Sequence, residues 1–568
     1  MSEETDFDAI VVGSGMSGGW AAKELCEAGL KVLVLERGSM VRHGQDYVTE
    51  HMSPWEIPFG GKKPRELYAR DYPVQSKVHS FNETTRHFFN NDRLNPYAYD
   101  EEKPFEWRRA DVVGGRSLLW SRQVYRFSDL DFEANKRDGH GIDWPIRYAD
   151  LAPWYSHVES FVGVSGEKRG LPHLPDGEFQ KPMPLNKVER AVRLAIEREY
   201  PNRYMMMGRC AVQTEAKNGR GACHYCGPCE RGCSVGAVFS SVGVTLPAAE
   251  RTGNMTLRAD SVVEGLDYDS KTGKVSAVRV IDANSFERKR YTAKLIFLCA
   301  STAASTQILL NSKSATFPNG LANRSGVLGH YLMDHATGAG AVGMMPGYLD
   351  SYTVGNRPSG IYIPRFRNLQ REGGSEPGVD FLRGYGYQGK AMRLDWQSSY
   401  KQIRGFGKGL KQALRRPGPW MMFMAAFAEH LPDKRNRMML DPSKTDRFGI
   451  PQVRFDASFG DNESRLQTDA ANQARKMLKS AGAVSVTPFD LEATPGQAIH
   501  EMGTARMGMN PQESVLDQWN RAHDVSNLFV TDGACMTSSS CVNPSLTYMA
   551  LTARAANYAA QRLKAGAI

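Results

Sequence analysis

Four of the nine cysteines in this chain fall within one short stretch, 223–233, with the spacing C-x2-C-x2-C-x3-C. Closely spaced thiolates on a turning backbone can converge on one metal centre, and this spacing is used for cubane-type iron–sulfur clusters. The predicted metal ligands are Cys223, Cys226, Cys229 and Cys233. A structural zinc site is one alternative, although zinc sites usually separate two cysteine pairs by a long loop. The other alternative is that the four cysteines are free thiols that bind no metal.

A nucleotide-binding pattern opens the chain. An apolar run over 7–12 predicts a buried strand, a Gly-x-Gly-x-x-Gly turn follows over 13–18, and helical apolar spacing continues over 20–28. A second predicted strand over 31–35 ends at Glu36. In this βαβ fingerprint the glycines permit the tight turn, the approach of a pyrophosphate and close helix–strand packing, and the acidic residue accepts hydrogen bonds from the ribose. The predicted cofactor contacts here are Gly13, Gly15, Gly18, Glu36 and Arg37.

The C-terminal end of the chain favours FAD over NAD, which shares the same fingerprint. A predicted strand over 527–531 runs into Asp532-Gly533, and a helix is predicted over 545–560. An Asp-Gly at a strand end, before a helix whose N-terminus can face the flavin, is typical of FAD enzymes that close the site with their last helix. The cofactor contacts predicted here are Asp532, Gly533, Ser545 and Thr547.

Length and composition limit the classes of protein to consider. A chain of 568 residues with 41% hydrophobic residues predicts two or more globular domains. The net charge of +9 is scattered and lacks the basic stripe with interleaved aromatics that nucleic-acid binding needs. No apolar run of about 18 residues predicts a membrane span, and the acidic first residues do not have the pattern of an export signal. The remaining cysteines are predicted to be buried thiols: Cys26, Cys210, Cys299, Cys535 and Cys541.

Four segments occur in an order that resembles one enzyme family. They are the βαβ segment over 8–38, Val112-Val113-Gly114-Gly115-Arg116-Ser117-Leu118-Leu119-Trp120, His500-Glu501-Met502-Gly503-Thr504-Ala505-Arg506-Met507-Gly508, and Asn543-Pro544-Ser545-Leu546-Thr547. Together they resemble the glucose–methanol–choline (GMC) oxidoreductases. Within that family, the cysteine run and the form of the His500 segment resemble bacterial sugar dehydrogenases of the glucoside 3-dehydrogenase type.

The resemblance implies the catalytic residues. His500 matches the histidine that faces the flavin N5 region, and Asn543 matches a second active-site position that carries His or Asn in the family. Oxidising a secondary alcohol removes a hydroxyl proton while hydride leaves the same carbon. A neutral histidine can accept that proton near working pH, and an asparagine can fix the substrate oxygen without competing as a base.

The resemblance also implies how FAD is held. Gly114, Gly115 and Ser117 match the loop along the flavin, and Val263, with Val262 beside it, matches a strand near the adenine. Some sugar oxidases of the family attach FAD covalently through a histidine at the position of Leu119. Because leucine cannot form that bond, non-covalent FAD is predicted.

Other residues near these motifs are given lesser roles. His330 and His335 are predicted to be packing histidines, and Glu501 is given a surface or outer supporting role. For the metal site, the related glucose dehydrogenases use a frame C-x5-C-x3-C, matching Cys223, Cys229 and Cys233, which implies a [3Fe–4S] cluster. Cys226 departs from that frame and leaves [4Fe–4S] open.

The predicted fold is α/β (α+β), with a Rossmann-like FAD-binding domain and a discontinuous substrate-binding domain built on an antiparallel sheet. The FAD-binding domain is assigned residues 1–165 with cap loops, 240–334 and 490–568. Residues 166–239 are an insertion that carries the cysteine run, and 335–489 form the substrate-binding domain. Sugar-binding candidates in the last domain are Tyr387, Asp395, Trp396 and Gln397, with packing an equal alternative.

The leading hypothesis is a dehydrogenase that oxidises a sugar or glycoside hydroxyl, at C3 by resemblance, giving a 3-keto-glycoside. Electrons would leave through the iron–sulfur cluster to a cytochrome c-type or other acceptor, and a small partner subunit is expected. Alternatives are a glucose, gluconate or polyol dehydrogenase, an oxygen-using oxidase with a structural metal, and an inactive electron-transfer or scaffold subunit. Co-export with the partner to the periplasm is expected, with the cytoplasm as the alternative. Substrate, regiochemistry, cluster type, acceptor and oligomeric state are left open by the sequence.

Overall fold

The computed structural model describes residues 3–53, 55–61, 63–370, 374–393, 405–415 and 418–568. The strands are β1 (Glu3–Val12), β2 (Val32–Leu35), β3 (Ala98–Tyr99), β4 (Met206–Met207), β5 (Met255–Arg258), β6 (Ser261–Asp269), β7 (Lys274–Asp282), β8 (Arg288–Leu298), β9 (Ala339–Met345), β10 (Ile361–Ile363), β11 (Tyr385–Arg393), β12 (Trp420–Ala428), β13 (Arg437–Thr445), β14 (Pro451–Asp456), β15 (Val484–Asp490) and β16 (Leu528–Val530). The described helices are α1 (Met16–Glu27), α2 (Arg65–Asp71), α3 (Asp129–Phe132), α4 (Ala134–Asp138), α5 (Tyr148–Val162), α6 (Lys187–Glu199), α7 (Leu246–Glu250), α8 (Thr302–Asn311), α9 (Gly407–Arg415), α10 (Asp461–Ser480) and α11 (Ser545–Lys564).

The first sheet is built around the N-terminal strand. Its order is β5-β2-β1-β8-β7-β6, and β16 pairs with the end of β8. The strands β5, β2, β1, β8 and β16 are parallel, whereas β6 and β7 form an antiparallel extension. Residues 9–12 of β1 and all of β2 are apolar and buried, because a parallel sheet is covered on both faces. The carboxyl ends of the parallel strands therefore meet at one edge, where open α/β sheets bind ligands.

The second sheet is antiparallel and stands over that edge. Its order is β15-β9-β12-β11-β10-β4. Helix α10 packs on one face of this sheet, against β9, β12 and β15. Side chains alternate along β11: the Tyr387 hydroxyl donates to the backbone of Ala470 on α10, so the neighbouring Gln388 faces the other way. A third, smaller sheet has the order β13-β14-β3.

The predicted fold class is confirmed. Strand β1 is longer than the predicted segment, and α1 begins at Met16 rather than Trp20, directly after the glycine turn. Strand β4, from the region assigned to the cysteine-bearing insertion, joins the antiparallel sheet. The domain boundaries stay a prediction. No helix in the described part of the chain is long and apolar enough to cross a membrane.

Candidate active site

A long cleft lies at the carboxyl ends of the parallel strands. It holds about 1920 Å³ of open space and is bordered by the ends of β1, β2, β8 and β16. Predicted cofactor residues that line it are Gly13, Gly15, Glu36, Arg37, Gly115, Ser117, Val263, Asp532, Gly533 and Ser545, and both predicted catalytic residues, His500 and Asn543, line it too. The cleft thus runs from the residues assigned to the nucleotide to those assigned to catalysis.

The glycine turn has the shape that a bound pyrophosphate requires. A Cβ on Gly18 would lie 1.9 Å from the carbonyl oxygen of Gly13, so only glycine allows α1 to sit this close to β1. At Gly15 a Cβ would meet nothing nearer than 3.9 Å, which leaves the backbone open towards the cleft. Helix α1 begins beside it with no acidic residue in its first turn. Its N-terminal N–H groups and positive dipole end therefore remain available to an anion.

Glu36 holds this turn in place. Its carboxylate accepts hydrogen bonds from the backbone N–H and the hydroxyl of Ser14, at 3.0 and 2.5 Å, and from the N–H of Gly38 at 2.9 Å. Burial raises the pKa of this carboxyl group, and the three donors oppose that shift. Contact between Glu36 and the ribose stays a prediction. The three hydrogen bonds show that Glu36 stabilises the glycine turn.

The remaining predicted cofactor residues differ in what they touch. Gly18, Gly114 and Thr547 are not part of the cleft lining. The hydroxyl of Thr547 is instead 2.8 Å from that of Tyr155, inside the core. Asp532 accepts from Ser305 at 2.5 Å and from the N–H groups of Ser301 and Ala534. Asp532 therefore joins the chain after β8 to the chain after β16, and burial raises its pKa to about 6.

Five residues form one hydrogen-bonded chain at the far end of the cleft. The Gln388 amide donates to Asn543 Oδ1 (2.5 Å), and Asn543 Nδ2 lies 3.3 Å from His500 Nε2. His500 Nδ1 is 2.8 Å from His335 Nδ1, and His335 Nε2 is 2.9 Å from the carbonyl oxygen of Ser540. These contacts come from β11, from the loops that carry His335 and His500, and from the approach to α11.

The carbonyl of Ser540 sets the direction of this chain. A carbonyl can only accept, so His335 carries its proton on Nε2, and its Nδ1 must then accept from His500 Nδ1–H. The Nε2 atom of His500 therefore carries no proton. Gln388 fixes the amide of Asn543 so that its NH2 group donates to that nitrogen. The arrangement points a proton acceptor and a hydrogen-bond donor into the same part of the cleft.

The electrostatics keep both histidines neutral. Burial lowers the pKa of His335 to about 4. Burial, with smaller contributions from His335 and Arg116, lowers the pKa of His500 well below its ordinary value of 6.5. Neutral His500 can accept a proton at physiological pH.

The cysteine run lies in a tightly turning loop beside the cleft. Tyr225, Gly227 and Gly232 have positive φ angles, and Cys226 is exposed while Cys229 is buried. Burial raises the pKa of Cys229 to about 12, and the charge of Arg122 opposes that shift. Arg122 also lines the cleft and pairs with Glu230 at 3.4 Å, so it connects the two regions.

The predicted metal site is not confirmed. In the described part of the chain, no group of three or more His, Cys, Asp or Glu side chains is arranged to hold a metal ion. The turns of the loop spread the thiols of Cys223, Cys226, Cys229 and Cys233 between an exposed position and the core. A single-ion site such as structural zinc would need four ligands around one point.

Comparison with known protein families decides the classification. The N-terminal model of the GMC oxidoreductases matches residues 7–337, and the C-terminal model matches 432–552. The chain belongs to the GMC oxidoreductase family.

Curated and solved GMC relatives match along almost the whole chain. A 2-methyl-1,2-propanediol dehydrogenase of Mycolicibacterium austroafricanum is 28% identical, over 98% of this chain and 95% of its own. The large subunit of a Gluconobacter japonicus fructose dehydrogenase is 28% identical over 100% of both chains. The crystal structure of pyridoxine 4-oxidase from Mesorbium loti has a TM-score of 0.60 at 15% identity, over 97% of this chain and 99% of that one. That structure shows the shared fold.

Membership of the GMC family supports the predicted cofactor and enzyme class. GMC proteins bind FAD, the cleft residues fit a dinucleotide, and the relatives include dehydrogenases and oxidases that act on CH–OH donors. Leu119, which replaces the attachment histidine of some family members, lines the cleft.

Several residues of this GMC site have roles that the sequence did not predict. His335 was assigned to packing, but it contacts His500, because the chain after α8 brings it against Phe427 of β12 and the His500 loop. Glu501 was given a surface or supporting role; it is 3% exposed and forms a two-oxygen ion pair with Arg116. Gln388 was not predicted, although strand alternation next to Tyr387 was a usable signal. The candidates Asp395, Trp396 and Gln397 lie outside the described residues.

His335 gives a test of the directed hydrogen-bond chain. In His335→Leu, the His500 Nδ1–H loses its acceptor, at a cost of about 1–3 kcal/mol, or roughly a ten- to hundredfold slower flavin reduction. In His335→Gln, an amide can still donate to Ser540 and accept from His500, so most of the rate should return. Stopped-flow flavin reduction measures both. Equal rates in the two variants would show that the chain does not orient His500.

The pH dependence follows from the lowered pKa of His500. Because the unprotonated form is the base, protonation of His500 is expected to slow flavin reduction only as pH drops through an apparent pKa below 6.5. Asp334 accepts the backbone N–H of His500, and burial raises the pKa of this carboxyl to about 7. The rate of flavin reduction should therefore be measured against pH in Asp334→Asn as well. In that variant only the titration of His500 remains to lower the rate at acid pH. If the rate in that variant fell with an apparent pKa at or above 6.5, the assignment of His500 as the base would be contradicted.

Proposed function

We propose that this GMC oxidoreductase is a dehydrogenase that oxidises a secondary hydroxyl of a sugar or glycoside, at C3, to the keto-sugar. The observation that carries the proposal is the directed chain that leaves His500 Nε2 without a proton, with the Asn543 NH2 group 3.3 Å away. Such a pair can bind one hydroxyl oxygen as donor and take its proton. The preference for sugars rests on the resemblance of the His500 segment and on the fructose dehydrogenase relative.

The reaction can be balanced on these residues. The substrate hydroxyl donates to His500 Nε2 and accepts from the Asn543 amide. The proton passes to His500, the O–H electron pair forms the second bond of the ketone, and hydride leaves the carbon with the C–H pair. FAD, when bound in the cleft, supplies the hydride acceptor. The partly exposed Arg116, held by the buried Glu501, places a positive charge near His500, which disfavours premature protonation of the base.

We also propose that the cysteine run holds an iron–sulfur cluster, with [3Fe–4S] on Cys223, Cys229 and Cys233 favoured over [4Fe–4S]. A cluster separates its thiolates more widely than a single ion does, and the pKa values of Cys223 and Cys229 are each raised further by the other thiols of the run. Arg122 supports an anionic group here, since its Nε and Nη1 have no hydrogen-bond partner among the described residues. When present, such a cluster provides one-electron transfer.

The acceptor and location belong to the same proposal. A small partner subunit is supported by the fructose dehydrogenase relative, which is a large subunit, and a cytochrome c-type acceptor is proposed with it. Co-export with that partner would place the enzyme in the periplasm.

An EPR spectrum of anaerobically purified protein, as isolated and after addition of a glycoside, tests the substrate class and the electron route together. We expect an iron–sulfur signal that changes when the sugar is added, because electrons from the sugar reach the cluster. Absence of an iron–sulfur signal in either redox state would overturn the cluster. Rapid peroxide formation with bound zinc and no iron would favour an oxygen-using oxidase instead.

A further inference from the structure

The helix α9 has no buried residue. It lies in the connection between β11 and β12, and Phe406, directly before it, is 91% exposed. Leu410 and Leu414 are half-exposed and the rest of the helix is exposed, and a nine-residue helix with so little burial is marginal in water by itself. The described part of the chain therefore offers the apolar residues of this helix little burial.

The sequence of α9 is amphipathic. Leu410 and Leu414 are four positions apart and share one face, with Phe406 a further four positions ahead. The basic residues Lys408, Lys411 and Arg415 fall on the opposite face. The segment 405–415 contains no acidic residue, and the sequence on either side adds Lys401, Arg404 and Arg416.

The surface around the base of this connection is also apolar. Arg393 donates to the carbonyl oxygens of Gly418 and Ser351, each at 2.9 Å, which ties the connection to the segment 348–354. In that segment Leu349, Tyr352 and Val354 are 64%, 71% and 96% exposed. Exposed apolar side chains and the basic helix thus belong to one end of the molecule.

The same end adjoins the cysteine run. The backbone N–H of Asn356 donates to the carbonyl oxygen of Tyr225 at 2.7 Å, and the side chain of Asn356 lies against Gly227. The apolar segment 348–354 leads directly into this contact. The surface defined by α9 and residues 348–354 is called the basic end below.

We infer that the basic end docks on an anionic membrane surface, with α9 lying in the plane of the interface. An amphipathic helix with lysine and arginine on one face and leucine and phenylalanine on the other binds at the boundary of headgroups and acyl chains. Basic residues add attraction to anionic lipids, which falls as salt rises. The apolar residues project from separate segments, and a bilayer accommodates such projections without a matching groove. An acidic protein would satisfy the charges but leaves the exposed apolar side chains unexplained.

This docking has a consequence if the proposed cluster is present. It would bring the exposed Cys226 side of the cysteine run towards the membrane, where a membrane-bound electron acceptor can be reached. The membrane contact itself does not depend on the cluster or on the substrate.

Vesicle co-sedimentation of the full-length holoenzyme tests the inference. Vesicles of phosphatidylcholine with phosphatidylglycerol are compared with phosphatidylcholine alone, at low and high salt. We expect binding to the anionic vesicles only, weakened at least tenfold by Lys408→Glu with Lys411→Glu. The matched control is Lys476→Glu with Lys479→Glu, which makes the same charge change on exposed positions of α10 and should bind like the unchanged protein.

A second variant separates insertion from simple charge attraction. Phe406→Ser with Leu410→Ser leaves every charge in place and should also weaken binding at least tenfold, while flavin reduction by substrate is unchanged. Equal binding of this variant and the unchanged protein would overturn the interfacial helix. Absence of binding to anionic vesicles would overturn the inference, and salt-sensitive capture by an acidic protein without vesicle binding would assign the surface to that class of partner instead.

Discussion

Replacement of His500 by alanine is expected to slow flavin reduction by substrate about 100- to 10,000-fold, the usual contribution of a positioned general base. The directed hydrogen-bond chain leaves His500 Nε2 unprotonated next to Asn543 at the cleft, so this nitrogen is the proposed proton acceptor. The side chain lies at the cleft wall, so its removal should leave FAD bound. The rate is read by stopped-flow absorbance under anaerobic conditions with a glycoside as substrate.

The matched control for this variant is His330→Ala. His330 is another histidine of the same region, but its Nδ1 is bound to the carbonyl oxygen of Lys434 and it does not line the cleft. We expect flavin reduction in His330→Ala within a few-fold of the unchanged enzyme. Full activity in His500→Ala would remove the mechanism proposed for this site, whatever the metal content of the protein.

Replacement of Cys229 by serine is expected to abolish the iron–sulfur EPR signal and the activity with a cytochrome acceptor. Cys229 is the buried member of the run and is a ligand in both the three- and the four-cysteine arrangements. Flavin reduction by substrate should persist, because His500 and Asn543 do not contact the run. Iron content, EPR and single-turnover flavin reduction are measured on the same preparation.

Two further variants sharpen that result. Cys26→Ser changes a buried cysteine on α1, away from the run, and should retain iron and acceptor activity. Cys226→Ser distinguishes the cluster types: a [3Fe–4S] signal should survive it, whereas a [4Fe–4S] signal should be lost or converted. Unchanged iron content and acceptor activity in Cys229→Ser would show that the run does not carry electrons.

Local sequence was enough to predict the nucleotide-binding part of the fold. The requirements of a βαβ turn are short-range: the clash at Gly18, the open backbone at Gly15 and the acidic residue after β2 all lie within about one helix and two strands. The parallel strands could also be predicted from the sequence, because burial on both faces of the sheet selects apolar residues. The same holds for His500 and Asn543, whose neighbours in the chain form recognisable patterns.

What the sequence could not show is how distant segments meet. His335 and Glu501 were given supporting roles because their chain neighbours indicate nothing more, yet long-range folding places one against His500 and the other against Arg116. The cysteine spacing predicted a metal site, whereas the positions of the four thiols depend on the turns of the loop and do not match a single-ion site.

The sequence by itself determined the family and the nucleotide turn and singled out His500 as the candidate proton acceptor, because each depends on residues that are close in the chain. Only the tertiary structure decided which nitrogen of His500 is left unprotonated, next to the Asn543 amide. That choice comes from Ser540, His335, Asn543 and Gln388, which lie on separate segments and act on one another only through hydrogen bonds formed in the folded protein.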